Sequence, residues 1–567
     1  MEHLILLTVL VEAFALIATG CGGAPQLQGS HWVRKAPASA SETGYVVETK
    51  DAAAVEQLLE KNNATGRVLD AQDGRYELFN ISAAAISAAL PQARIRKNVF
   101  IANALPPAGK ISQSTNEPPK NPKCRDPKTP EEKFQFDVSA TNHVQELSEK
   151  KRVISISDPH ITFAAATNAI EVMWLVYGPE GLQANDTLFK GMTLDFDANL
   201  PGSYTIMARA RNAAGICQIA SGTFGVTWPK VAYLGPSTTA LPVPTAEAYS
   251  TFAHLMTVGA LNAWTKAKGD RVKIAIVDSG VNYNHPDLRP NIAVTQSELI
   301  PNGKDNDLNG FINDAYGWDF VNGDNLPYDD NGHGTHVAGL AAGARFGIAP
   351  HASILPVKVA TAVGEVDGAS LESGIYYAIK SGANIINISI GAPGELLAFE
   401  NEAIHMAESR GILVVVAALN DGKDNDLSPV YPANLATVDS NVISVAATTL
   451  EGALTQYSNF GLNNVTMAAP GGGDDMKIDG LLGPDFRKAA SGGYTRMSGT
   501  SMASPVVAGV AALVKSADPY LSPRQLKRVI MGTGTFSPAL SGKLMVPEVV
   551  NAAAAVNRAQ FHVEGGQ

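Results

Sequence analysis

Four short segments, far apart in the chain, carry side chains that can do chemistry together. In Gly499-Thr500-Ser501-Met502-Ala503-Ser504-Pro505, a serine precedes the run Val506 to Val514. That run is apolar on every face and predicts a helix buried all round. Pro505 is expected in the first helical turn, where its missing amide would have had no partner. Ser501 then sits at a helix start, among free N–H groups and the positive end of the helix dipole. Such a serine is either a plain helix cap or a nucleophile whose oxyanion the site stabilises. A nucleophile needs a base and an orienting acid. His333 lies in Asp329-Asp330-Asn331-Gly332-His333-Gly334-Thr335-His336. The i, i+3 spacing of His333 and His336, with no Glu between them, is unlike the zinc-protease helix. Asp278 ends an apolar run, where the alternative is a turn or cap residue. Asn420 follows another such run and supplies an amide.

These groups must be positioned by the elements they end. Val272 to Val277, Ala383 to Ile390, Ile412 to Ala418 and Val442 to Ala447 are near-continuous β-branched runs that alternate with helical stretches. The pattern predicts a parallel sheet covered by helices on both faces. In such sheets function gathers at the carboxyl ends of the strands.

Taken together, in the order Asp, His, Ser, the segments resemble the subtilisin-type serine proteases over about 300 residues, from near 250 to the end. The resemblance implies an α/β subtilisin-like fold and a serine endopeptidase working through an acyl-enzyme. In that reading Ser501 attacks, His333 carries the proton, Asp278 holds the imidazole, and the Asn420 amide meets the oxyanion. It implies that Ser389-Ile390-Gly391 pairs with the substrate backbone as an edge strand. It also marks a departure: the family usually has Gly before the oxyanion Asn, and here Leu419 stands beside the pocket for the residue preceding the scissile bond. No cofactor is needed for this chemistry. A structural calcium is expected at Asp305, Asp307 and Asn309, an EF-hand-like start that lacks a twelfth-position Glu because Tyr316 stands there.

The rest of the chain reads as accessory units. Residues 1–20 form an apolar leader without Lys or Arg, and Ala18-Thr19-Gly20-Cys21 resembles a bacterial lipoprotein cleavage box. Cys21 is then the lipidation site, residues 21–42 a tether, and the protein an exported envelope lipoprotein or a secreted enzyme. Residues 43–104 read β-α-β-β-α-β, the ferredoxin-like order, with a hairpin turn at Asp73-Gly74. They resemble the inhibitory propeptide of the same family, which implies an intramolecular inhibitor removed by self-cleavage. Residues 105–133 are a proline-rich linker, expected to carry the cut. Residues 134–229 show short alternating runs between turns and suggest an immunoglobulin-like β-sandwich. Residues 230–245 are a second linker, and 246–567 the protease-like domain. Cys124 and Cys217 either form a pair or remain two buried thiols; closing that loop would stabilise by about 4–5 kcal/mol.

At 567 residues with a net charge of −11 and no basic patch, the chain is a multi-domain globular protein, and nucleic acid is not an expected partner. Its expected partners are a protein or peptide substrate and its own propeptide, with a membrane met only through Cys21. The alternative is a catalytically inactive binding or scaffold lipoprotein on the same fold.

Overall fold

The computed structural model describes residues 44–98 except Ala71, 100–101, the strands between 136 and 227, 232–236, and 244–564 apart from 395–397, 438–439 and 488–491. The expected leader, Cys21, the tether, the proline-rich linker and Cys124 lie outside these residues.

The chain divides into two compact units. In the smaller, Tyr45–Glu48, Ala52–Asn62, Thr65–Asp70, Arg75–Phe79, Ala83–Ala89 and Arg94–Lys97 alternate as strand, helix, strand, strand, helix, strand. If the four strands are numbered along the chain, the sheet order is 2-3-1-4, and every pair is antiparallel. Val55, Leu58 and Leu59 of the first helix recur at helical spacing and are buried on the sheet with Val47, Tyr76, Leu78 and Ile86. Asp51 and Ser82 cap the two helices, each accepting a backbone N–H three residues on. The sequence predicts one final strand over 95–101. The structure ends that strand at Lys97, and Phe100–Ile101 pairs instead with Val366–Asp367 of the larger unit, to which both segments belong.

Strands between Phe136 and Thr227 form two sheets. One runs Gly181–Leu182, Ala169–Gly178, Gly202–Asn212, Cys217–Thr227, Val153–Ser155, and the other Thr193–Asp197, His160–Thr167, Phe136–Ala140.

The larger unit is built on a nine-stranded sheet. Its order is Trp318–Asp319, Ser353–Lys358, Lys273–Asp278, Ile385–Ile388, Leu413–Ala417, Val442–Thr448, Met467–Pro470, Glu548–Val549 and Thr535–Phe536. All neighbours are parallel except the last pair. The four expected strands are present, and each is buried along almost its whole length. Alternation assigns the two faces. Ile274 and Ile276 join the core that contains Val506, Val507 and Val510 of helix Thr500–Ala517. On the other face a Cβ on Gly374, in helix Gly368–Lys380, would lie 3.1 Å from Val357 and 3.5 Å from Val277. Both faces are therefore covered, and this is why the strands carry no polar alternation.

Two histidines are sealed into this core. His254 is 1% exposed and lies against the Phe252 ring. His336, fully buried, donates from Nε2 to the Leu481 carbonyl at 3.1 Å. Burial pushes His254 down to about 4 and His336 to about 3, from an ordinary 6.5. Both stay neutral in the fold but take up protons once unfolded. Stability is thus level above pH 6.5 and falls as pH drops towards 4, by up to about 3 kcal/mol for each histidine. In a Ser501→Ala background the urea midpoint should fall steeply between pH 7 and 4.5. His254→Phe should flatten that slope, and an unchanged slope would refute the account.

Candidate active site

The carboxyl ends of three adjacent strands bring the candidate residues into one row. Asp278 is the last residue of its strand, Ser389 follows Ile388 directly, and Leu419 and Asn420 lie just past Ala417. Helix Thr500–Ala517 brings Ser501 against them, and helix His333–Ala342 begins at the histidine itself.

Asp278 and His333 meet in the interior. His333 Nδ1 is 2.8 Å from Asp278 Oδ1, the pair being 2% and 0% exposed. The same oxygen accepts the Ser279 N–H at 2.7 Å. A carboxylate on Nδ1 leaves the proton there and Nε2 as the basic nitrogen. His333 Nε2 is buried and has no hydrogen-bond partner. The close approach of helix to strand requires Gly334, because a Cβ there would lie 2.1 Å from the Gly280 carbonyl and 3.0 Å from Asp278 Oδ1.

Ser501 makes no hydrogen bond to that nitrogen. Its hydroxyl donates to the Ser389 carbonyl at 3.2 Å. In return Ser389 Oγ donates to the Ser501 carbonyl at 3.1 Å. This reciprocal pair depends on Pro505. The helix begins at Thr500, so Pro505 lies in its second turn rather than the first turn predicted from sequence. The amide it lacks is the one that would have bonded Ser501 C=O. Ser389 supplies the missing donor, and its own oxygen accepts from Asn387 Nδ2 at 3.0 Å and pairs with Ser504 Oγ at 2.9 Å.

Asn420 is oriented by the residue before the serine. Its Oδ1 accepts the Thr500 N–H at 2.8 Å and the Thr500 hydroxyl at 3.0 Å. Thr500 Oγ1 also accepts the Leu419 N–H at 3.1 Å. The oxygen end of the amide is thus held by Thr500, and Nδ2 is its donor end. Leu419 therefore does not displace the amide, although its own backbone is at φ 77. Of the expected substrate strand, Ser389 and Ile390 are buried and Gly391 is partly exposed.

Sequence reading missed the groups that hold this arrangement. Asp329 accepts the Asn331, Gly332 and Thr335 N–H groups and the Ser279 hydroxyl, so a carboxylate three residues before the Gly332 N-cap satisfies a first-turn amide of the His333 helix. An aspartate just ahead of a helical run was the available signal. Lys358 stands beside Asp278 in register on the neighbouring strand. Its Nζ donates to the Ser279 carbonyl at 2.7 Å, the Ala360 carbonyl at 2.9 Å and Asp330 Oδ1 at 2.6 Å. Burial raises Asp330 while Lys358 opposes the rise. Burial alone would lower Lys358, but Asp330 and Asp319 hold it above its ordinary value.

Near the expected calcium loop the fold gathers further carboxylates. Carboxylate oxygens of Glu298, Asp307 and Asp314 lie within 4.8 Å of one another, the one such acidic group among the described residues. Glu298 also accepts N–H groups of Asn306, Asp307 and Asn313. Asp305 lies on the same loop, and Asn309 Oδ1 accepts the Phe311 N–H at 2.8 Å. Hard oxygen donors of this kind suit calcium.

Residues 269–559 match the subtilase family, Peptidase_S8, just over half of the chain. Thermitase of Thermoactinomyces vulgaris is 36% identical over 265 residues, 46% of this chain and 80% of that protein. Subtilisin DY of Bacillus licheniformis is 32% identical over 274 residues, 47% of this chain and 85% of that protein. An extracellular protease of Xanthomonas campestris pv. campestris is 35% identical over 324 residues, and the match spans 52% of this chain and 53% of that protein. The chain belongs to the subtilase family of serine proteases.

Removing one partner of the buried Lys358–Asp330 pair strands the other. Lys358→Met should destabilise by about 3–5 kcal/mol. The double variant Lys358→Met/Asp330→Leu should recover much of that loss. Thermal unfolding of the three proteins decides it, and equal losses in the single and double variants would refute the pairing.

Proposed function

We propose that this chain is an exported serine endopeptidase that cleaves peptide bonds through Asp278, His333 and Ser501. The observation that carries this reading is the buried 2.8 Å Asp278–His333 pair, which leaves the imidazole Nε2 without a hydrogen-bond partner. The Ser501 hydroxyl leaves the Ser389 carbonyl and turns to His333 Nε2. His333 takes its proton as Oγ attacks the substrate carbonyl, and Asp278 stabilises the imidazolium. The oxyanion is met by Asn420 Nδ2 and the Ser501 N–H. As the C–N bond breaks, His333 returns the proton to the leaving amine. Water, activated by the same imidazole, then hydrolyses the acyl-enzyme.

A small active-serine phosphonate should label Ser501, and Ser501→Ala should abolish both label and peptide cleavage. Asn420→Ala should lower kcat roughly 10²–10³-fold with little change in KM, the usual loss for one oxyanion donor. A correctly folded, matured wild type that takes no label would favour the inactive scaffold alternative.

Residues 43–104 act in this reading as a ferredoxin-like inhibitory propeptide, supported by the strand order of the smaller unit. The pairing of Phe100–Ile101 with Val366–Asp367 leads the chain from that unit into the protease unit. Self-cleavage falls in the 105–133 linker, the two sheets of 134–229 form an immunoglobulin-like spacer, and Cys21 carries the lipid anchor. Calcium held by Glu298, Asp307 and Asp314, with Asp305 and Asn309 on the same loop, serves stability rather than chemistry. Calcium should therefore raise the thermal midpoint over that in a chelator, and Asp307→Asn/Asp314→Asn should remove the difference. An unchanged midpoint on calcium addition would refute it.

A further inference from the structure

We infer that Leu419 closes the recess for the residue that precedes the scissile bond, so that the enzyme selects glycine or alanine there. This rests on the peptidase reading above.

The place of that substrate residue follows from the groups around it. Its carbonyl carbon must reach Ser501 Oγ, and its oxygen must reach Asn420 Nδ2. A backbone extended along Ser389-Ile390-Gly391 brings its N–H to the Ser389 carbonyl, the acceptor that Ser501 vacates. The side chain then points between Gly391 on one side and Leu419 on the other. Leu419 already occupies that space. A Cβ on Gly391 would lie 2.9 Å from the Tyr431 carbonyl oxygen, 3.2 Å from Leu419 Cδ2 and 3.5 Å from Cδ1.

The leucine has little freedom to withdraw. Its N–H donates to Thr500 Oγ1 at 3.1 Å, and its carbonyl accepts the Asn459 N–H at 2.9 Å. The next residue, Asn420, is held by Thr500 through two further hydrogen bonds. The backbone at Leu419 is therefore fixed in the left-handed region at φ 77, where glycine is the unstrained choice. Strain of this kind persists where the surroundings over-determine it, and it clusters at working sites. The side chain is only partly buried, so it does not fill the core.

The test is a set of otherwise identical peptides with Gly, Ala, Leu or Phe before the scissile bond. Wild type should cleave the Ala peptide with kcat/KM about 100-fold above the Phe peptide, the scale of discrimination by pocket volume. Leu419→Gly accepts φ 77 without strain, and should cut the Ala-to-Phe ratio by at least about 30-fold. Equal cleavage of Ala and Phe peptides by wild type, or an unchanged ratio in the variant, overturns the filter while leaving the peptidase intact. Absence of both phosphonate labelling and cleavage of every peptide overturns the peptidase reading, and the filter with it.

Discussion

A reciprocal pair of hydrogen bonds between Ser389 and Ser501 ties the helix of the proposed nucleophile to the central sheet. The pair exists because Pro505 leaves the Ser501 carbonyl without its helical donor. Left unmade, that carbonyl would be a buried, unsatisfied acceptor, which is costly. The Ser389 hydroxyl removes the penalty and fixes the start of the helix against the end of strand Ile385–Ile388. Asn387 and Ser504 complete the hydroxyl's bonding, so the contact is rigid from both sides. A local defect in one helix thus becomes the joint on which the site is assembled.

Around this joint the site gathers buried charge. Asp278 meets His333, Asp329 accepts a first-turn amide of the helix that begins at His333, and Asp330 faces Lys358. The carboxylates are tolerable inside the protein because each accepts N–H or N⁺–H donors. Lys358 also grips the Ser279 carbonyl, the peptide next to Asp278. Charge balance and backbone position are therefore set by the same side chain. Helix, strand and ion pair hold the imidazole together.

Leu419 shows how such rigidity passes into selectivity. Thr500 binds both Leu419 and Asn420, so the amide is oriented by the same contacts that force the leucine into the left-handed region. The amide keeps its direction, and the neighbouring recess loses its volume. One residue can narrow what enters while the groups for bond cleavage stay in place.

Much of this was legible in the sequence. Apolar β-branched runs fixed the strands from Lys273 to Thr448 because a sheet covered on both faces demands them. Asp278, His333, Asn420 and Ser501 could be named because each stands where such a strand stops or a helix starts, and motifs record that local geometry. The 95–101 run was read as one strand, since periodicity is blind to which partner a strand finds; the structure splits it at Lys97. Along the chain the sequence offered Asp305, Asp307 and Asn309 as calcium ligands, while folding brings Asp307 beside Glu298 and Asp314, which lie elsewhere in the sequence. Lys358 and Thr500 carried no signal, because a lysine in a strand and a threonine before a serine acquire their roles only from neighbours brought in by the fold. The sequence by itself determined which residue types would meet at the carboxyl ends of a parallel sheet. Only the tertiary structure decided that Ser389 would repair the bond Pro505 removes, that Thr500 would orient Asn420, and that Leu419 would lean over Gly391. Each of these is a contact across tens to hundreds of residues, set by packing in three dimensions rather than by spacing along the chain.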